Sequence, residues 1–126
     1  MRAVDTNVLV RLLVQDDPRQ TAAAKSFVTS GAWVSHLVLA EVVWVLDAVF
    51  SMQPASLAKS IRMLVEHESL VLQDADVVEA ALNHFTDRPA LGFTDCLVLE
   101  IARKAGHSPL GTSDRRLSKL PGAHKL

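Results

Sequence analysis

An acid at the junction of an apolar strand and an apolar helix constrains this chain more than any other feature. In Arg2 to Val14 (RAVDTNVLVRLLV), Ala3 and Val4 are strand-like and Asp5-Thr6-Asn7 favour turns and helix caps. Val8, Leu9, Leu12 and Leu13 then follow at the spacing of one helical face. Asp5 is thereby placed at the C-terminal end of a strand, the edge at which open α/β sheets bind ligands. The competing reading is that Asp5 merely caps the helix. The choice turns on whether other acids are placed to meet it.

The same alternation runs down the chain. Asp17 and Pro18 open a helix to about Thr29, expected to pack Ala23, Ala24, Phe27 and Val28 inward, and Ser30-Gly31 ends it. Ala32-Trp33-Val34-Ser35 is a short strand, and a helix follows from about His36. In that helix Leu37 to Leu46 are apolar apart from Glu41. An isolated carboxylate in such surroundings is costly, so Glu41 is expected to be a site residue, the alternatives being an exposed edge or a pair with Arg11.

Pro54 opens a further helix with Leu57, Ile61, Leu64 and Val65 as its stripe, and Leu70-Val71-Leu72 makes a third strand. Asp74 or Asp76 then caps a helix carrying Val78, Ala81, Leu82 and Phe85, closed by Asp87-Arg88-Pro89. After Gly92 a helix is expected to bury Leu97, Val98, Ile101, Ala102 and Ala105, with Asp95 in its first turn. A first-turn acid also complements the helix dipole, which is its ordinary structural use. Pro109 to Thr112 forms a strand ending in Ser113-Asp114, the second acid to follow directly on a strand. His124-Lys125-Leu126 reads as a last edge strand.

Length and composition fit this rhythm. A chain of 126 residues with 49% hydrophobic content can fill one core, so a single globular domain over residues 1–126 is expected. The predicted class is α/β, a central, mostly parallel sheet of four to five strands flanked by helices. A net charge of -1 argues against coating nucleic acid by bulk charge, but the charge is uneven. Residues 66–100 hold eight acids and one base, Arg88, while residues 101–126 hold six Lys or Arg and one acid, Asp114. The lone Cys96 excludes an internal disulfide and a cysteine-rich zinc site, is expected in the core, and fits a reducing cytoplasm. The five His are scattered, which excludes an HExxH-type metal site, and neither a signal peptide nor a membrane span is expected.

Right-handed crossovers would bring every strand's C-terminal end to one edge, so Asp5, Glu41, Asp95 and Asp114 are expected to converge. Two carboxylates about 4 Å apart repel by roughly 4 kcal/mol at an effective dielectric near 20, so such a cluster requires a cation. Oxygen-only ligands favour Mg²⁺ or Mn²⁺, whose chemistry suits phosphodiester hydrolysis.

The stretches DTNVLVRLL (Asp5 to Leu13), SHLVLAEVVWVL (Ser35 to Leu46), LGFTDCLVLEIARKAG (Leu91 to Gly106) and LGTSDRRLSKLPG (Leu110 to Gly122) together resemble a PIN domain. Within that family the chain is most similar to VapC-type ribonuclease toxins. The resemblance implies a single PIN-like domain and metal-dependent RNA cleavage, with the family's acids falling on Asp5, Glu41, Asp95 and Asp114. Thr112 matches the polar residue that often precedes the last acid, Asn7 matches a common neighbour of the first, and Ser113 departs from a frequent aromatic. The resemblance further implies a VapB-type antitoxin as partner and a homodimer. Arg115, Arg116, Lys119, Arg103 and Lys104 are candidates to contact RNA phosphates. The alternatives are a flap-type DNA nuclease, for which the chain lacks arch elements, and a non-catalytic α/β signalling or binding module. A receiver-like module would need a late-strand Lys that Leu110 to Asp114 lacks, and a haloacid-dehalogenase-like phosphatase would want Asp where Asn7 stands.

Overall fold

Parallel strands joined by paired helices organise the N-terminal part of the chain. The computed structural model describes all residues, Met1–Leu126, and divides into two units, Met1–Ala75 and Asp76–Leu126. In the first unit β1 (Arg2–Ala3), β2 (Ala32–Val34) and β3 (Leu70–Leu72) form a sheet in the order β1-β2-β3. Both pairings are parallel, with Ala3 opposite Trp33 and Val34 opposite Leu72. Helices α1 (Thr6–Val14) and α2 (Pro18–Val28) connect β1 to β2, and α3 (His36–Ala48) and α4 (Pro54–Glu66) connect β2 to β3. The two-residue period of a strand turns Ala32, Val34, Leu70 and Leu72 inward and leaves Trp33 and Val71 exposed.

Three of the helices begin at a capping side chain. Asp5 caps α1, accepting from the Thr6 N–H at 2.7 Å. Asp17 caps α2 through the Arg19 and Gln20 N–H groups, with Pro18 in the first turn. The Ser35 hydroxyl accepts from the Val38 N–H and starts α3. Along α3, Leu39, Val42, Val43 and Leu46 are buried in the i, i+3, i+4, i+7 pattern. Truncating a side chain such as Leu46 to Ala should cost about 2–5 kcal/mol. In α2, Ala24 and Val28 are buried as expected, but Ala23 is exposed and Phe27 half-buried, its ring lying 3.8 Å from the Arg2 guanidinium carbon.

The second unit contains α5 (Ala75–Asp87), α6 (Phe93–Lys104), β4 (Leu110–Thr112) and β5 (Ala123–Lys125). Short 3-10 turns occupy Pro89–Leu91 and Leu117–Lys119. Phe85 of α5 meets Phe93 of α6 edge to face at 6.2 Å, the geometry aromatic quadrupoles favour. The α/β class with parallel strands is as expected, and one detail of it is corrected. The five strands are all parallel, but they are hydrogen-bonded as a three-stranded and a two-stranded sheet rather than as one. The three residues of β4 are paired over their whole length by β5, whose register sets Leu110 opposite Ala123 and Thr112 opposite Lys125.

Helix α6 also sits in a different rotation from the expected one. Phe93, Cys96, Leu97, Leu99 and Glu100 are buried, whereas Val98, Ile101 and Ala105 are exposed. Both faces of this helix carry apolar residues, so periodicity alone does not choose between them. The face that wins contains a buried acid, Glu100, because Arg103 Nε reaches both its oxygens at 2.9 and 3.2 Å and His84 Nε2 lies 3.7 Å away. No helix is long and apolar enough to cross a membrane.

Candidate active site

In the first unit the parallel sheet brings the C-terminal ends of β1 and β2 to one edge, and Asp5 and the start of α3 leave from it. Asp5 is exposed, and its cap bond to the Thr6 N–H uses one carboxylate oxygen. The neighbouring Thr6 hydroxyl oxygen is buried without a hydrogen-bond partner. Capping and a ligand role are therefore compatible for Asp5. Asn7 is exposed in the first turn of α1.

Glu41 lies on α3, which packs against α1, but its carboxylate is exposed. The burial cost expected for it from sequence does not arise. It shares the outer face of α3 with Leu37 and Trp44, and the apolar stretch looked enclosing only because that helix carries apolar residues on both faces. Arg11, considered as its partner, pairs instead with Asp16 at 2.7 Å.

In the second unit α6 and β4 supply the other two acids. Asp95 stands in the first turn of α6, after Gly92, whose φ of 77° ends the preceding turn. Partial burial raises the Asp95 pKa above the ordinary carboxylate value, and the charge of Asp114 raises it further. Asp114 follows β4 in a turn built by two bonds. Its N–H donates to Thr112 Oγ1 at 3.0 Å, and its Oδ1 accepts from the Leu117 N–H at 2.9 Å. Thr112 thus sets the backbone that aims Asp114, and one Asp114 oxygen remains outside these bonds.

The structure therefore brings Asp95 and Asp114 into each other's field within one unit, and carries Asp5 and Glu41 on two packed helices of the other. Neither unit holds a group of three or more His, Cys, Asp or Glu arranged to hold a metal. The donors nonetheless suit a hard divalent cation in kind. They are carboxylates and a hydroxyl, and repulsion at Asp95 is what such a cation would relieve. A cavity of about 410 Å³ in the first unit is lined by Leu12, Gln15, Val28, Leu64 and His67 and by none of the four acids.

Arg115 and Arg116 are exposed just beyond Asp114, as a substrate contact requires. Arg103 and Lys104 are corrected as candidates. Arg103 is held by Glu100 and by the Pro121 carbonyl, and Lys104 by Asp76 at 2.9 Å, which lowers the Asp76 pKa. Glu100 escaped the sequence reading because nothing local marks an acid on a helix as buried.

Among known families, the PIN domain model matches residues 2–123 of the chain. No curated protein and no solved structure matches it significantly.

Proposed function

The chain belongs to the PIN domain family, whose members are generally nucleases and typically use divalent metal ions, and from that premise we propose that it is an endoribonuclease dependent on Mg²⁺ or Mn²⁺. The observation that carries the proposal is the match of the PIN domain model to residues 2–123, and beside it the second unit keeps Asp95 close enough to Asp114 to feel its charge. Asp95 and Asp114 of the second unit are the residues that would hold the cation, with Asp5 and Glu41 of the first unit as the further candidate ligands. When bound, it supplies a Lewis acid for the phosphoryl oxygen and lowers the pKa of a nucleophilic water.

The chain's own residues do the rest of the work. Thr112 holds the Asp114 backbone N–H, and the Leu117 N–H holds the Asp114 carboxylate. The N-terminal N–H groups of α6 stand beside Asp95 and favour negative charge there, in the acid and in an approaching phosphodiester alike. Arg115 and Arg116 draw the substrate backbone toward the acids. In-line displacement of the 3′-oxygen by water would leave a 5′-phosphate.

The same reading extends to biology. We place the protein as the toxin of a VapBC-type pair in the cytoplasm, neutralised by a VapB-type antitoxin and acting as a homodimer. The support is the sequence resemblance together with the exposure of Leu37 and Trp44 on α3 and of Val49 directly after it.

The test compares wild type with Asp5→Asn and Asp95→Asn on single-stranded RNA and on flapped DNA, each with Mn²⁺ and with EDTA. RNA cleavage that needs the metal and both carboxylates is expected. Full activity in either variant would overturn its assignment, and a preference for flapped DNA would overturn the choice of RNA.

A further inference from the structure

Glu100 is the one buried acid of the second unit, and the proposed reaction makes no use of it. Arg103 Nε donates to both its oxygens, at 2.9 and 3.2 Å, and Arg103 Nη2 donates to the Pro121 carbonyl. A buried ion pair is seldom worth more than apolar packing of the same volume, and what it adds is a fixed geometry. Here one guanidinium spans two elements, a helix and the turn that opens a strand.

That turn is bonded directly to the strand that leads to Asp114. Gly122 follows Pro121, and its carbonyl accepts at 2.8 Å from the N–H of Leu110, the first residue of β4. Having no Cβ, Gly122 also leaves room for the guanidinium. Strands β4 and β5 then pair as far as Thr112 and Lys125, and Thr112 Oγ1 accepts from the Asp114 N–H. An unbroken series of bonds therefore runs from Glu100 through Arg103, the Pro121-Gly122 turn and β4 to Asp114. At its other end Asp95 stands on the same helix as Glu100, five residues before it. The hydrogen bonds of a helix run along its axis, so α6 moves as one rod. It packs on β4, and a tie in its last turn holds the whole rod, Asp95 included, against sliding along the strand pair.

We propose that Arg103 is a positioning residue of the candidate active site: anchored on Glu100, it locks α6 to the Pro121 turn and so sets the separation of Asp95 and Asp114 that a divalent cation requires. This role rests on the metal-dependent nuclease function proposed above, and it is exercised through the two acids rather than by contact with cation or substrate. Arginine suits it better than lysine, because the planar fork serves a carboxylate and a carbonyl at once.

The test titrates the protein with MnCl₂, reading free Mn²⁺ by electron paramagnetic resonance, beside urea denaturation of each variant. Arg103→Lys keeps the charge beside Glu100 but replaces the fork by a single nitrogen. It should keep nearly wild-type stability yet bind Mn²⁺ about tenfold more weakly, the usual cost of removing an outer support of a metal ligand. Gly122→Ala pushes the guanidinium off Pro121 with Glu100 still paired, and should weaken Mn²⁺ binding in the same way. Lys104→Gln cuts the adjoining tie of α6 to Asp76 and should leave the affinity unchanged. Asp114→Asn should cost wild type far more affinity than it costs Arg103→Lys, because the arginine acts through that carboxylate.

Wild-type affinity in both Arg103→Lys and Gly122→Ala would overturn the positioning role, as would an equal loss in Lys104→Gln or equal costs of Asp114→Asn in the two backgrounds. Affinity that falls only in step with urea stability would reduce Arg103 to a partner for Glu100 and overturn it too. Wild type that binds no Mn²⁺, or binds it as tightly after Asp95→Asn, would end the metal reading and this role with it. That outcome is read from wild type and Asp95→Asn alone, whereas failure of the positioning role by itself leaves the metal bound and shows only in the Arg103 and Gly122 variants.

Discussion

Partial burial, and after it the charge of Asp114, holds the Asp95 carboxyl above its ordinary pKa. A carboxyl whose folded pKa is raised binds more protons folded than unfolded between the two values, so stability falls as pH rises through that window. The loss is complete once the pH exceeds the folded value. Asp95→Asn removes it. The variant should therefore melt above wild type at pH 7 and converge with it below the unfolded value near 3.8. Because water still reaches the side chain, the gain should be small, about a degree or two. Asp114→Asn should act in the same direction through the second cause. Thermal melts at pH 3.5 and 7 decide the matter, and a wild type more stable than both variants at pH 7 would contradict it.

Glu100 and Arg103 lead to an asymmetric prediction. The acid is almost enclosed, at 9% side-chain exposure, whereas the guanidinium is 42% exposed. Arg103→Met strands a buried carboxylate with only His84 nearby, and should cost about 2–3 kcal/mol. Glu100→Met leaves Arg103 free to turn to water and to the Pro121 carbonyl, and should cost about 1 kcal/mol or less. Urea denaturation of both variants measures the order. Equal losses would mean that Arg103 does not serve to compensate Glu100.

What the sequence made legible was mostly local. Asp17 before Pro18, Pro54, and the apolar run Leu70-Val71-Leu72 each name a boundary or an element, and the structure has a helix start or a strand at each. The misjudged features concern faces and partners. Helices α3 and α6 carry apolar residues on more than one side, so the exposure of Glu41 and the burial of Glu100 are decided by packing, which no short window contains. The commitment of Arg103 and Lys104 to nearby acids was hidden for the same reason, since Asp76 lies 28 residues from its lysine. The pairing of β4 with β5 alone was hidden too, because strands of two or three residues are too short for their patterns to name a neighbour.

Gly122 is the residue that lets Arg103 approach its carbonyl anchor at Pro121. Its φ is +90°, and a Cβ there would lie 2.9 Å from Arg103 Nη1 and 3.0 Å from Nη2. Gly122→Ala should cost about 1–2 kcal/mol from the left-handed backbone alone. Displacement of the guanidinium adds to this. In an Arg103→Met background the second part should vanish, so the double variant should be more stable than the sum of the two losses predicts. Strict additivity would show that the Gly122 cost is wholly backbone.

Cys96 should be inert in the folded protein. Burial, and next to it the charge of Asp95, raises its thiol pKa to about 11. At pH 8 that leaves roughly one molecule in a thousand as thiolate, and the thiolate is the reactive form. Native protein should react with a disulfide reagent far more slowly than protein in guanidinium chloride. Equal rates would mean that α6 opens locally and often, which would remove Asp95 from its pairing with Asp114.

A divalent cation should invert the order of stability found without one. Lacking metal, wild type carries the repulsion between Asp95 and Asp114, and Asp95→Asn should be the more stable protein. A ligand that binds only the folded state stabilises it by RT ln(1 + [L]/Kd), about 2.7 kcal/mol at a hundredfold excess over Kd. Wild type gains that amount if its acids hold the ion, whereas the variant, short of one carboxylate, gains much less. Melting curves with 0, 1 and 10 mM MnCl₂ should therefore cross, with wild type below the variant at zero and above it at the highest concentration. Parallel curves would separate the acids from the metal and return Asp95 to a role in the dipole of α6 alone.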